Sequence, residues 1–183
     1  MKYVLIICLL SLIFLGALMP HEKNNRSISP QEKLVNIILE NTEVIIEKRH
    51  HIKACGAGVA MPGGVVKELV LAFTTKGQFS KEHLRKLLID CAQEMVLQAK
   101  LNSEIEDFME KPPFSIKNVQ IIIYNHDKEG RGLRDPEIST AQIAKEVLTY
   151  RTIDPEDEFQ FKNEFKETYD EALKLIGNQA TEF

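Results

Sequence analysis

The stretch SKEHLRKLLIDCAQEMVLQAK, residues 80–100, is the strongest structural signal in this sequence. Its apolar residues recur at steps of three and four, the spacing that places side chains on one face of an α-helix. They are Leu84, Leu87, Leu88, Cys91, Met95 and Val96. Ser80 stands where a side-chain oxygen can accept hydrogen bonds from the first free N–H groups of a helix. The sequence therefore predicts an amphipathic helix that begins after Ser80.

Two strands and another helix are predicted before this helix. Residues 52–61 and 65–75 flank Pro62-Gly63-Gly64, and proline with paired glycines is typical of a turn between two strands. The earlier helix is predicted over Pro30 to Arg49. Ser29 can act as its N-cap, and Pro30 fits its first turn, where a missing N–H costs nothing.

The elements predicted after residue 100 complete an α+β fold. A short helix near residues 105–109 ends before Pro112-Pro113, and strands follow at 119–124 and 143–152. A last helix is predicted to carry an apolar stripe that belongs to the core: Phe161, Phe165, Tyr169, Ala172, Leu173 and Ile176, with Gly177 as its C-cap. The order predicts an antiparallel sheet of about four strands, packed by three main helices.

The first nineteen residues predict export. Lys2 precedes a run without charge from Tyr3 to Met19, the pattern of a signal peptide or a membrane anchor. A helix needs at least about 17 apolar residues to cross a bilayer. Ala17-Leu18-Met19 before Pro20 is a poor cleavage site, so the sequence slightly favours an anchor that contacts the membrane through residues 3–19.

The rest of the chain is organised as one domain. A polar tether over 20–29, a single α+β domain over 30–177 and a disordered tail over 178–183 are predicted. The chain has 23 basic and 27 acidic residues, for a formal net charge of −4. Because basic and acidic residues are interspersed and form no basic stripe, nucleic acid is excluded as a partner.

The cysteines allow two interpretations. Cys8 belongs to the apolar run, so Cys55 and Cys91 are the pair that can form a disulfide in an oxidising compartment. A free, buried Cys91 is the alternative. Cys55 also follows His50 and His51, and an imidazole base beside a thiol is the arrangement of a nucleophilic enzyme. Histidines at a helix end, however, also satisfy the last carbonyls.

No metal or cofactor site is predicted. The two histidines and Cys55 lack the fourth ligand of a tetrahedral metal site. The glycine-rich stretch 55–64 has Met61 where a dinucleotide fingerprint needs its third glycine, and a strand follows where a helix should begin. These glycines therefore fit a hairpin or a bulge better than a phosphate cradle.

The long polar segment over 126–142 holds the second group of candidate residues. It contains one imidazole, two carboxylates and two guanidinium groups, at His126, Asp127, Arg131, Arg134 and Asp135. Such groups can form a binding site, or an acid and a base with an anion clamp. The alternative is an ordinary polar surface loop. Long ordered loops often carry function, and we therefore treat these residues as candidates.

Several short motifs lie between residues 65 and 176: Leu87-Leu88, Phe108, Pro113-Phe114, Asn118, Asp135-Pro136, Tyr150-Arg151-Thr152 and Glu167-Thr168-Tyr169-Asp170-Glu171-Ala172-Leu173. Together they resemble an uncharacterised group of small bacterial exported proteins. The resemblance implies an envelope protein and brings no catalytic residue with it. We therefore expect a non-enzymatic domain that meets a protein or envelope partner through its sheet or the 126–142 loop. The alternative is an exported hydrolase or thiol-dependent enzyme that uses Cys55 with His50 or His51.

Overall fold

The computed structural model describes residues 28–179. Three helices and six strands follow in chain order: α1 (Pro30–His50), β1 (Lys53–Ala60), β2 (Glu68–Thr74), α2 (Lys81–Leu101), β3 (Val119–Tyr124), β4 (Thr140–Ala144), β5 (Val147–Ile153), β6 (Phe161–Thr168) and α3 (Tyr169–Gln179). The predicted membrane segment 3–19 lies outside the described residues. Within residues 28–179, no helix is both long enough and apolar enough to cross a bilayer.

The six strands form one mixed sheet in the order β1-β2-β3-β4-β5-β6. All neighbours are antiparallel except β2 and β3, which run parallel. The parallel pair arises because the chain crosses over through α2 between these two strands, as parallel neighbours require. The α+β prediction is confirmed. The prediction of a purely antiparallel sheet of about four strands is wrong, because the sheet has six strands and one parallel pair.

The core lies between one face of the sheet and the two long helices. Alternate residues of the central strands are fully buried against α1 and α2: Leu69, Leu71, Phe73, Val119, Ile121 and Ile123. The intervening residues, such as Val70, Gln120 and Ile122, are only partly buried. This alternation shows that the helices cover one face.

The helix starts follow the predicted capping residues. The Ser29 hydroxyl accepts a hydrogen bond from the N–H of Glu32, whose carboxylate accepts the N–H of Ser29 in return. The Ser80 hydroxyl likewise accepts the N–H of His83 at the start of α2. Because each cap satisfies backbone donors that would otherwise lack partners, these residues fix where the helices begin.

The prediction of one strand over residues 143–152 is wrong, because this stretch belongs to a hairpin. β4 ends at Ala144, and β5 begins at Val147. Lys145 and Glu146 between them both adopt positive φ angles, of 50° and 63°. Two successive left-handed residues make the tight turn that joins twisted strands, a conformation that usually selects glycine or asparagine.

The prediction of a helix through Phe161 and Phe165 is also wrong. Residues 161–168 form the edge strand β6, where Phe161 is 58% exposed and Phe165 46% exposed. They are therefore not core residues. α3 begins only at Tyr169, after a cap in which Thr168 and Glu171 exchange hydrogen bonds. It continues to Gln179, past the C-cap predicted at Gly177, and residues 180–183 lie outside the described part.

A buried ionic network connects α2 to β5 and to the edge strand β6. The Arg85 guanidinium donates two hydrogen bonds to the Glu167 carboxylate, at 2.8 and 3.0 Å, and the Tyr150 hydroxyl donates a third. All three side chains are about nine-tenths or more buried. Burial alone would raise the pKa of Glu167, but the bonds from Arg85 and Tyr150 outweigh it and lower that pKa.

Candidate functional site

Two loops at one end of the sheet enclose a cleft of about 590 Å³. One loop joins β3 to β4 over residues 125–139, and the other joins β5 to β6 over residues 154–160. We call this the loop cleft, and its lining residues are Asp127, Arg131, Gly132, Leu133, Arg134, Ile153, Glu158 and Phe159. The cleft thus brings together three of the five residues predicted from the long loop.

Asp127 and Arg131 form a compact turn on one side of the loop cleft. The Arg131 Nε donates to Asp127 Oδ2 at 2.8 Å, while Asp127 Oδ1 accepts the backbone N–H groups of Glu129 and Arg131. The backbone N–H of Arg131, together with its side chain, holds the pKa of Asp127 below its usual range. Asp127 is therefore ionised near neutral pH, and it orients the largely exposed Arg131 guanidinium.

Arg134 links the two loops across the loop cleft. Its Nη1 donates to the carbonyl of Pro155, and its Nη2 lies 3.7 Å from Glu158 Oε2. Phe159 follows in the same loop and is 90% exposed, the most exposed large apolar side chain among the described residues. The loop cleft therefore carries two guanidinium groups and one uncovered phenyl ring, all on loops fixed by hydrogen bonds.

The two remaining candidates of the long loop lie outside the lining of the cleft. His126 Nδ1 is 2.8 Å from the Thr74 hydroxyl, which joins the loop to β2. Asp135 accepts hydrogen bonds from Thr152 and Asn163, at 2.9 and 2.6 Å. These bonds, with Thr152 contributing most, lower the pKa of Asp135. Both residues therefore hold the loop on the sheet.

Asn125, which the sequence did not single out, anchors the start of the long loop. It is 1% exposed, and all four of its side-chain hydrogen bonds are made. Its Oδ1 accepts from the Thr75 hydroxyl and the Phe79 N–H, and its Nδ2 donates to the carbonyls of Phe79 and Ile138. Asn125 therefore joins the segment before α2 to both ends of the β3–β4 loop. In the sequence, the position of this asparagine directly after an apolar strand was the signal that could have indicated its anchoring role.

The cysteines and the histidines of the thiol hypothesis do not form a nucleophile with its base. Cys55 lies exposed at an irregularity of β1, and burial raises the pKa of its thiol, with no contribution from either imidazole. His51 ends α1 in a left-handed conformation. His50 Nε2 lies 3.9 Å from Asp90 and has no hydrogen-bond partner, and burial lowers its pKa. An activated thiol requires the opposite shift at the cysteine.

Cys55 and Cys91 are both free thiols, so the predicted disulfide is not formed in this structure. Cys91 faces the core from α2 and is fully buried, whereas Cys55 is exposed on β1. Burial raises the pKa of the Cys91 thiol strongly. The structure therefore has the alternative arrangement, a free and buried Cys91. Within residues 28–179, no cluster of three or more His, Cys, Asp or Glu side chains is placed to hold a metal ion.

These environments predict different reactivities for the two thiols. In a Cys8→Ser background, iodoacetamide should modify Cys55 in the native protein at the rate of an ordinary thiol, because nothing stabilises its thiolate. Cys91 should react only after unfolding. Mass spectrometry of digested samples, with and without urea, measures both. A Cys55 that reacts at pH 7 far faster than free cysteine would contradict this expectation and revive the thiol-dependent enzyme.

Comparison of the chain with known protein families, with characterised proteins and with solved structures finds no match in any of the three. The function must therefore be inferred from the chemistry of the residues, and the loop cleft is the site at which three of the five predicted binding residues meet.

Proposed function

We propose that this chain is a non-enzymatic binding domain of the cell envelope, anchored in the membrane or secreted, and that the loop cleft holds a protein partner. The observation that carries the proposal is Phe159, a phenyl ring left in solvent between loops that carry Arg131 and Arg134. A phenyl ring beside two guanidinium groups is a combination that protein interfaces enrich relative to the rest of a protein surface. The export signal predicted over residues 1–19 supports the envelope location.

The residue types at the loop cleft are those that dominate the energetics of protein interfaces. Aromatic and arginine side chains are enriched at positions where truncation costs the most binding energy. The guanidinium groups of Arg131 and Arg134 can pair with carboxylates of a partner, and Phe159 can enter an apolar pocket. Because Asp127 and Glu158 also line the cleft and balance the two arginines, we infer a partner segment in which hydrogen-bond acceptors flank an apolar residue.

The loops of the cleft are held in place before a partner arrives. Asp127 fixes the turn that carries Arg131, Arg134 spans the two loops, and Asp135 ties the long loop to β5 and β6. Because the ordering of flexible loops opposes association, loops that are already fixed favour binding. The same hydrogen bonds argue against catalysis. Both aspartates keep lowered pKa values, so neither is suited to proton transfer near neutral pH.

Photo-crosslinking from position 159 tests this proposal. A benzoylphenylalanine at Phe159, introduced into the full chain in the cells that make it, should give one discrete protein adduct. Combining the probe with Arg134→Ala should lower the adduct yield about tenfold, because losing an arginine contact at the centre of an interface weakens the affinity by about that factor. The folded state should be unaffected by the probe, because Phe159 is almost wholly in solvent.

Leu101 provides the matched control, because it is also apolar and exposed, 69%, and lies at the end of α2. The same probe at Leu101 should not produce the adduct. An adduct obtained equally from both positions would reflect nonspecific stickiness, and the absence of an adduct at position 159 would contradict the proposed cleft.

A further inference from the structure

The two edges of the sheet are protected very differently. The edge strand β6 carries charged side chains along its length, at Lys162, Glu164, Lys166 and Glu167. Charges of this kind prevent an edge from pairing with another strand. β1, at the other edge, reads KACGAGVA and carries no charge after Lys53.

The backbone of β1 is also poorly covered by its own side chains. From Gly56 to Ala60 the residues are glycine, alanine and one valine, and most of them are exposed. At the start of the strand, the N–H of Ala54 donates a hydrogen bond to the Glu47 carboxylate at 2.9 Å. A register shift lies between Ala54 and Gly56, and the pairing with β2 is regular beyond it. The outer backbone groups of the regular part can therefore accept another strand.

We propose that β1 pairs antiparallel with β1 of a second copy of this chain, which joins two six-stranded sheets into one. Edges that bind foreign peptides combine backbone bonds with pockets for alternate side chains. From Gly56 to Ala60, side chains no larger than valine form no such pockets on the strand. A second copy of this glycine- and alanine-rich strand does not need side-chain pockets. A two-fold axis that relates the two copies also generates an antiparallel pair.

The sheet geometry limits how the two strands can meet. The helices lie on one face, and a two-fold axis perpendicular to the sheet keeps both sets of helices on the same side. Ala57 pairs with Leu71, a helix-facing residue, so Ala57 points to the helix face in each copy. If the regular parts over 56–60 overlap fully, Ala57 lies opposite Val59 of the copy and diagonally from Ala57 of the copy, within about 7–8 Å. Because β1 and β6 are opposite edges, both loop clefts stay accessible in the pair.

Opposite charges at position 57 test the self-pairing. Sedimentation velocity of the full chain in a mild detergent should show a dimer at high concentration. Ala57→Lys and Ala57→Glu should each weaken the dimer at least tenfold, about the effect of like charges placed together at an interface. An equimolar mixture of the two variants should restore it, because the charges then attract. Lys166→Glu on β6 should leave the wild-type dimer unchanged.

Hydrogen exchange of the unaltered chain gives a second readout that needs no variant. At high protein concentration, a peptide covering residues 53–61 should exchange more slowly than in dilute samples, whereas a peptide covering 161–168 should not change. A wild-type chain that stays monomeric at all concentrations would overturn the proposal. So would variants that dimerise like the wild type, a mixture that fails to dimerise, or concentration-dependent protection confined to β6.

Discussion

Replacing Glu167 with glutamine should lower the free energy of unfolding by about 3 kcal/mol or more, because the change leaves the Arg85 guanidinium buried without a countercharge. Arg85 and Glu167 are bonded through two donors, and the Tyr150 hydroxyl shares the same carboxylate. Removing one partner of such a pair costs far more than the pair itself contributes. A urea titration followed by circular dichroism measures the loss, with the slope of the titration as a check on two-state unfolding.

Two further variants separate this explanation from a general intolerance of β6 to substitution. Glu164→Gln, on the same strand, breaks an exposed pair with Arg151 and should have a much smaller effect. The double variant Arg85→Met, Glu167→Gln should be more stable than Glu167→Gln alone, because no charge then remains buried. If Glu167→Gln proved as stable as Glu164→Gln, the network would not have the role assigned to it.

Acid should reproduce part of this loss. The pKa of Glu167 is lowered in the folded state, so its contribution is complete above the unfolded value of about 4.3. That contribution disappears as the pH falls through the lower, folded pKa. The unfolding free energy of the wild type should therefore fall below about pH 4 more steeply than that of Glu167→Gln.

Asn125→Ala should be the second most damaging substitution, with a loss of about 3 kcal/mol or more. The Phe79 N–H and the carbonyls of Phe79 and Ile138 would lose a partner whose own side chain is 1% exposed. Each unpaired buried group costs about 1–3 kcal/mol. The same urea titration measures the effect.

Ser139→Ala is the matched control for Asn125. Ser139 is also buried at the end of the long loop, but its hydroxyl makes a single side-chain bond, to the carbonyl of Arg151 at 2.9 Å. Its loss should therefore cost about 1 kcal/mol. The adduct from position 159 should also decrease in Asn125→Ala, because the loop that carries Arg131 and Arg134 loses its anchor. Equal losses for the two variants would contradict the anchoring role.

The elements that follow local rules could be predicted from the sequence. α1 and α2 have apolar stripes and serine caps, and β3 is a short run that is apolar except for Gln120. The turn at Lys145-Glu146 could not be predicted, because neither residue is typical of left-handed turns. The sequence of β6 predicts a helix because Phe161, Phe165 and Tyr169 are spaced by four residues. An edge strand whose residues are exposed on both faces does not need the alternation of apolar and polar residues that identifies a strand.

Only one of the two loops that form the loop cleft could be predicted from the sequence as a candidate site. Asp127, Arg131 and Arg134 stood out because a long polar loop joins two strands. Phe159 belongs to another loop, inside an acidic run, and only the pairing of β5 with β4 and β6 brings it beside them. Such proximity depends on strand order, which local periodicity does not determine.

The parallel pairing of β2 with β3 has a consequence for how this chain folds. β1 and β2 are neighbours in sequence, as are β3 to β6, so each group can form without closing a loop longer than the 125–139 segment. The β2–β3 ladder instead requires residues 75–118 to be closed into a loop, and the entropy of closure opposes long-range contacts. We therefore expect a hairpin and a four-stranded meander to form early, with the rate of folding limited by the docking of one on the other beneath α2.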